Sequence, residues 1–583
     1  MCEQYATLKE GISRKVKAEV GETWLRSAKI ARKAGQLQEA FSFLLEAQKY
    51  ESPKVFLEAA KLNWERGLRT QAITVLRKGL LVTFPDVMRA LEAQETGGPE
   101  ALGLGRALER LERPGLRELC AQGKLLLARY VEEAASVSNE NVKKYFDHAR
   151  ELSKTSDEIF YHQAKFFDKQ CQKMTPEQMI NQSEMVTYAA LIYLRSLRCG
   201  PSYLDECMPR LLTIWLDFAE HIHDASFAKD KDPKSIAALN NATTQLSKLN
   251  KSLYAYRTKV PAYYFLTAFP QIVSRICHPH EETNNVLRSL MITVFLKFPQ
   301  QAFWHMVCVS KNRDPKRQAR CSQVFKEASG QCPDLKPFLE DAILFSKKID
   351  ELCDKKTEDR QSTTSFRELL PSLPALFNQR SMSRLILPIQ RNMVGTCPTA
   401  EANLDAYDPF PSGVVTIAGV EDEIQVMTSL VKPKKITLRG SDGRLYPFLA
   451  KPKDDLRRDC RLMDLACLLN RMFRKEPEAR KRDLLVRTYT VVPTNETSGL
   501  IEWVGNLKGL RQIITQLLKE RGCNMVALMR GNAPDVKKDS LEKKKECLRR
   551  CLEEQKVGEV SPSVFREWFV RTFPDPQVGA YRF

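Results

Sequence analysis

The sequence predicts a mainly α protein: a tetratricopeptide-like α-solenoid followed, in its last third, by a smaller α+β lobe. Three observations predict it. Near the N-terminus small and apolar residues recur at a fixed spacing of 32 residues. Long amphipathic patterns then continue to about residue 350. Near residue 435 the pattern switches to the period-two alternation of strands.

The repeat comes first. Ala28 and Ala60, Gly35 and Gly67, Ala40 and Ala72, and Leu44 and Leu76 are each 32 residues apart. Small alanines let paired helices approach closely, glycine closes the turn between them, and large apolar residues fill the groove left by the next pair. Weaker copies surround Ala128 and Ala164. Residues 93–115 break the pattern and read as a loop. Helices resume over Met185–Leu197, Met208–Ala219 and Val286–Leu296.

Residues 354–365 read as a polar loop, Leu385 to Met393 as a short connecting helix, and 398–412 as a Pro- and Asp-rich linker. Lys435 to Arg439, the turn Gly440-Ser441-Asp442-Gly443 and Arg444 to Lys451 form a hairpin signature. Pro447 within its second strand fits only an edge or a bulge and threatens the pairing beside Lys451. Val486–Val492 and Leu500–Val504 read as further strands. Between them Leu462, Leu465, Ala466, Leu469 and Phe473 mark one helix face. These shifts divide the chain into a solenoid over 1–309, connecting helices and a linker over 310–415, and the lobe over 416–583.

Composition narrows the class. The chain has 583 residues, 43% hydrophobic and 28% charged, with 91 Lys+Arg against 72 Asp+Glu. The net charge of +19 is spread over the whole length, which allows an acidic partner without specifying one. No stretch reaches the roughly 18 apolar residues of a membrane span, and the first residues lack the apolar core of a signal peptide. The 16 cysteines show no paired C-x-x-C arrangement, so they read as reduced thiols of a nucleocytoplasmic protein rather than zinc ligands.

The segment Lys451-Pro452-Lys453-Asp454-Asp455-Leu456-Arg457-Arg458-Asp459 resembles the K-x-x-x-D-L-R-x-D element of the phosphatidylinositol 3-kinase-related protein kinases. Lys432 to Gly443 resembles that family's first hairpin, and Gly499-Leu500-Ile501-Glu502-Trp503-Val504 its hinge. Phe265-Leu266-Thr267-Ala268-Phe269, Phe298-Pro299-Gln300-Gln301 with Trp304, and Val309-Ser310-Lys311 look like its FAT solenoid. The likeness is nearest to the replication-stress checkpoint branch. It implies that 1–309 is a FAT domain and that 416–583 is the N-lobe, with the start of the C-lobe, of a PI3/PI4-kinase-like catalytic domain.

The resemblance also implies roles. Phosphoryl transfer needs fixed charge on the ATP phosphates. Lys451 stands where the family's ATP lysine lies, and Asp459 where the carboxylate that holds it lies. Eight residues do not share a helix face, but a strand, a turn at Pro452 and a helix start near Asp454 can bring the two together. Ser429 falls in the phosphate-covering loop, where a hydroxyl and backbone N–H groups can meet phosphate oxygens. Leu449 and Tyr489 would line the adenine pocket, and Trp503 and Val504 would contact adenine at the hinge. The same residues also suit a turn serine and core aromatics.

All seven histidines lie at or before position 305. The family's D-R-H-x-x-N catalytic loop therefore cannot follow Lys451, and its magnesium ligands are unmatched. The expectation is a chain with no catalytic residue and no metal ligand of its own, cut before the catalytic loop as a truncated gene model, splice form or fragment. Its departure from the family begins after Pro576. For the whole protein the resemblance implies ATP as substrate, Mg or Mn, protein substrates with Ser/Thr-Gln sites, a regulatory partner subunit, DNA contact through partners only, no membrane, and a nuclear location. The alternatives are a helical-repeat interaction scaffold with a vestigial nucleotide lobe and a lipid kinase, which the FAT-like solenoid disfavours.

Overall fold

The computed structural model describes residues 2–50, 52–96, 103–109, 115–228, 232–358, 361–378, 382–393, 406–410, 413–521, 539–554 and 563–574, with side chains from Val16 onward except at 94–96, 548 and 550–554. Two compact units divide the chain, Met1–Glu502 and Trp503–Phe583.

The first unit opens with α1 (Cys2–Lys33), α2 (Leu37–Gln48), α3 (Val55–Glu65), α4 (Arg69–Thr83), α5 (Pro85–Thr96), α6 (Leu104–Glu109), α7 (Leu116–Glu133), α8 (Asn139–Leu152), α9 (Asp157–Cys171) and α10 (Pro176–Asn181). It continues through α11 (Ser183–Cys199), α12 (Leu204–Ser226), α13 (Pro233–Tyr256), α14 (Ala262–Thr267), α15 (Phe269–Ser274), α16 (Glu281–Lys297), α17 (Pro299–Ser310), α18 (Pro315–Gln331) and α19 (Leu335–Asp354). Among the described residues no strand occurs before Thr363.

The repeat chemistry is visible in the packing. Gly35 and Gly67 have φ of +77° and +81°, the left-handed region that glycine enters without a Cβ penalty. Ala28, Ala60, Ala40 and Ala72 are all but fully buried where the helices approach, and Leu44 and Leu76 fill the layer beside them. Ala128 and Ala164 are likewise fully buried. The stretch 93–115 is not a plain loop: α5 continues to Thr96 and α6 interrupts it.

One buried histidine gives the solenoid a pH response. His278 is 3% exposed. Its Nδ1 accepts the His280 N–H at 3.2 Å, so Nε2 carries the proton and donates to the Leu216 carbonyl at 3.0 Å. Burial, which disfavours the charged imidazolium, holds its pKa below the ordinary value. A lowered folded pKa means that the unfolded chain binds protons first, so stability is present above the ordinary value near 6.5 and is lost as pH falls through it. The thermal midpoint should fall between about pH 7 and 5. In His278→Gln, which is less stable at pH 7.5, it should fall less steeply. Equal slopes would refute the assignment.

The lobe is built from β1 (Thr363–Ser365), β2 (Ile417–Val420), β3 (Glu423–Val426), β4 (Lys434–Gly440), β5 (Leu445–Pro452), β6 (Val491–Pro493) and β7 (Ser498–Glu502), all antiparallel, in the order β1-β3-β4-β5-β7-β6, with β2 also on β4. Short helices α20 (Phe366–Leu369) and α21 (Ser372–Leu376) precede most of the sheet, and α22 (Arg457–Lys475) and α23 (Pro477–Lys481) sit between β5 and β6. One apolar core runs without a break from the solenoid into the sheet, through Ile386, Ile436, Leu438, Phe448, Ala450, Val492 and Leu500.

Four expectations change here. The loop over 354–365 contains β1, which pairs Thr363 to Ser365 with β3. Leu385–Met393 is not a helix. It is extended, with only a 3-10 turn at Pro388–Gln390. Side chains of α17 capture it: Gln300 Nε2 donates to the Arg384 carbonyl, Gln300 Oε1 accepts the Ile386 N–H, and Trp304 Nε1 donates to the Ile386 carbonyl. Val486–Val492 becomes strand only from Val491, because the Asn470 amide takes both backbone groups of Val486 at 2.8 Å. On α22, Ala466 is buried but Leu462 and Leu465 are more than half exposed, so the apolar face is narrower than its pattern. The linker over 398–412 lies mostly outside the described residues.

Pro447 leaves the β4–β5 pairing intact. Gly440 N–H donates to the Arg444 carbonyl at the hairpin end. Alternation along the ladder then turns the position of the missing N–H at 447 away from β4. On that side the pairing with β7 ends at Phe448↔Glu502.

In the second unit, α24 (Leu510–Glu520) is followed by α25 (Leu541–Glu554) and α26 (Val564–Thr572). Ile513 and Leu518 of α24 are buried and Leu510 is exposed. Arg521 pairs with Glu567 at 2.6 Å.

Candidate functional site

Lys451 lies on β5, a strand flanked by β4 and β7. Phe448 and Ala450 of β5 point into the core. By the two-residue period, Leu449 and Lys451 share the other face. Ile501 stands opposite Leu449 and Gly499 opposite Lys451. Glycine is required there, since a Cβ at 499 would meet the Val492 carbonyl at 2.3 Å. The Lys451 side chain is 28% exposed, so its ammonium is partly withdrawn from water but open to a ligand.

Asp454, and not Asp459, holds Lys451. The ammonium pairs with the Asp454 carboxylate. The cause is the turn that follows β5. Lys453 takes a left-handed backbone, φ +53°, and the Asp454 N–H donates to the Thr497 carbonyl at 2.9 Å. That turn folds Asp454 back over Lys451, whereas Asp459 sits in the first turn of α22, partly exposed. Asp455 fixes the helix start by accepting from Nε, Nη2 and the backbone N–H of Arg457. Sequence reasoning missed Asp454. The signal was available as an acid three residues after the lysine, with Lys453 able to turn the chain.

Ser429 is exposed in the turn after β3; its N–H donates to Met427 and its carbonyl accepts from Lys432. Lys432 Nζ reaches the Thr357 and Glu358 carbonyls at 3.2 Å, which ties this turn to the segment after α19. Tyr489 is partly buried in the extended segment before β6. Trp503 and Val504 open the second unit, Trp503 being 36% exposed. Lys451, Leu449 and Asp454 are thus brought together.

A buried ammonium supports the sheet from below. Lys434, 1% exposed, donates to the Cys353 carbonyl in the last turn of α19 at 3.1 Å, where a cation meets the helix's negative end. On the far side, the buried Arg391 donates to the Cys460 thiol of α22 at 3.2 Å.

Among the described residues no three His, Cys, Asp or Glu side chains come together as a metal site. No step is assigned through a metal. Every cysteine whose side chain is described is a free thiol, and no described helix is long and apolar enough to cross a membrane.

Family models match three stretches: the FAT domain over residues 8–213, the HEAT repeats of ATR-like serine/threonine-protein kinases over 248–346, and phosphatidylinositol 3- and 4-kinase over 445–581. The protein kinase rad3 of Schizosaccharomyces pombe is 29% identical over 95% of this chain. The serine/threonine-protein kinase ATR of Drosophila melanogaster is 31% identical over 96%. The chain belongs to the phosphatidylinositol 3-kinase-related protein kinases. Within these kinases it is ATR-like. It spans 23% of the rad3 kinase and 21% of the fly ATR. A solved FAT and kinase domain of CtTel1 shares the fold, with a TM-score of 0.65 at 19% identity, covering 95% of this chain and 39% of that one. In a phosphatidylinositol 3-kinase-related kinase, the sheet carrying Lys451 is the small lobe and the helices before it are the FAT solenoid.

Proposed function

We propose that the lobe around Lys451 grips ATP within a serine/threonine protein kinase of the ATR type. The whole protein phosphorylates Ser/Thr-Gln sites in the DNA damage and replication-stress checkpoint, in the nucleus, with a regulatory subunit and with DNA contact through partners. One observation carries this reading: a half-open ammonium on a central strand, steadied by a carboxylate in the next turn, beside an apolar face made by Leu449 and Ile501. Lys451 contributes a fixed positive charge to the ATP phosphates, and Asp454 keeps its ammonium aimed. Leu449 offers an apolar wall to the base, and Tyr489 contributes to the same pocket. Ser429 and its turn cover the phosphates, and Asp459 contributes negative charge near the start of α22. Solenoid 1–309, connector 310–415 and kinase domain 416–583 are the working parts.

The test is displacement of a fluorescent ATP analogue from the purified chain. Lys451→Ala should weaken binding about tenfold or more, the worth of a charge-assisted hydrogen bond. Asp454→Asn should weaken it less, because the cation remains. Binding that ignores both substitutions would overturn the reading.

A further inference from the structure

The corner between α17 and α18 touches the lobe through polar side chains, and the contacts lead to Lys451. Lys311 Nζ meets the Asp350 carboxylate and the Ser346 hydroxyl of α19, both at 2.5 Å. Lys311 and Asp350 are only 16% and 17% exposed. The other Asp350 oxygen accepts from the Thr494 hydroxyl at 2.5 Å and the Ser498 hydroxyl at 3.2 Å, on the turn between β6 and β7. Next along the corner, Asn312 donates to Glu496 at 2.9 Å, and Arg313 approaches the same carboxylate at 3.4 Å. Arg457, at the start of α22, reaches Glu496 from the lobe side at 3.3 Å.

The turn these groups hold is the one that serves the lysine. Its Thr497 carbonyl accepts the Asp454 N–H. Its Ser498 and Gly499 stand opposite Pro452 and Lys451 in the ladder. Every link from the solenoid corner to the Lys451 ammonium is thus a hydrogen bond, an ion pair or a strand pairing. Buried charges are poor sources of stability, since desolvation cancels most of their attraction, and an apolar contact would join the two parts as well. What the charged contacts supply is a single geometry for the turn.

We propose that Asp350 and Glu496 are positioning residues through which the helical solenoid sets the place of Lys451. The proposal rests on the reading of Lys451 as the nucleotide contact. It makes the occupancy of the corner by Lys311, Asn312 and Arg313 a control on nucleotide affinity.

The test uses the 583-residue chain with Thr494→Val and Glu496→Gln combined, near-isosteric changes that remove the turn's hydroxyl and charge. A second variant is Asp350→Asn. Amide hydrogen exchange at Asp454 and the dissociation constant of a non-hydrolysable ATP analogue are read together. Exchange at Asp454 should rise about tenfold and affinity should fall about fivefold, the scale of one or two hydrogen bonds lost from a charged group. Exchange in α16 and α18 should stay unchanged, which a general loss of stability would not allow. Glu496→Asp in the Thr494→Val background should restore part of the protection. Unchanged exchange at Asp454 overturns the proposal, as does affinity that stays fixed while exchange rises. If Asp350→Asn does not fold, the first variant decides. If the parent chain fails to bind the analogue, the nucleotide reading falls, while the exchange result still decides whether the corner positions the turn.

Discussion

A purified chain of these 583 residues, given ATP, magnesium and a Ser-Gln peptide, should show no turnover above the background of Lys451→Arg. The roughly 1–100 s⁻¹ of protein kinases depends on an aspartate that orients the substrate hydroxyl and on side chains that hold metal beside the phosphates. The kinase family's loop for this purpose carries a histidine, and no histidine follows His305 in the sequence. Nor do the described residues after Lys451 assemble an acidic metal site. On the proposed reading Lys451 holds phosphate and Asp454 only aims its ammonium, which binds the nucleotide without transferring its phosphate. Turnover that vanishes in Lys451→Arg would mean that a substitute loop exists. Analogue binding without turnover is the expected result.

Trp304→Ala should be the most damaging single substitution at the junction of solenoid and lobe. Trp304 is 2% exposed, and removing a buried indole costs about 3–5 kcal/mol from lost burial and the cavity left behind. It also leaves the Ile386 carbonyl without its indole donor, which adds about 1–3 kcal/mol. Trp304→Phe keeps most of the volume and loses only the donor, so it should cost the smaller amount alone. Urea unfolding of the two variants checks the order. With Trp304→Ala, exchange at the Leu387 amide, which bonds to the Val415 carbonyl, should rise before that of the solenoid. Equal costs for the two variants would show that the indole N–H does not hold the connector.

The parts legible in the sequence were those written in residue size. Ala28, Gly35 and Ala40 recur because two helices can pack at that distance only over small side chains, and their copies at 60, 67 and 72 take the same places. The hairpin around Gly440–Gly443 was legible because Gly443 needs φ of +76°. What escaped depends on partners far along the chain. β1 is three polar residues, and only β3 makes them a strand. Leu385–Leu387 carries an apolar pattern that suits a helix, but Gln300 and Trp304, more than eighty residues earlier, hold it extended. Val486 lost its strand to one asparagine of α22. At the site, Lys451 was readable from its surroundings, whereas its partner was not. The family resemblance implied Asp459, and the left-handed backbone at Lys453 brings Asp454 to the lysine instead. The link through Asp350 and Glu496 joins residues more than a hundred positions apart and leaves no local trace.

Pro447 acts as a full stop for the ladder. A strand grows only while its neighbour offers donors and acceptors, and β7 ends at Glu502, level with the last such residue before the proline. Any other amino acid at 447 would restore an N–H and offer one more rung. The ring therefore measures out the sheet: it fixes at which residue the chain stops pairing and turns away, one position before Trp503.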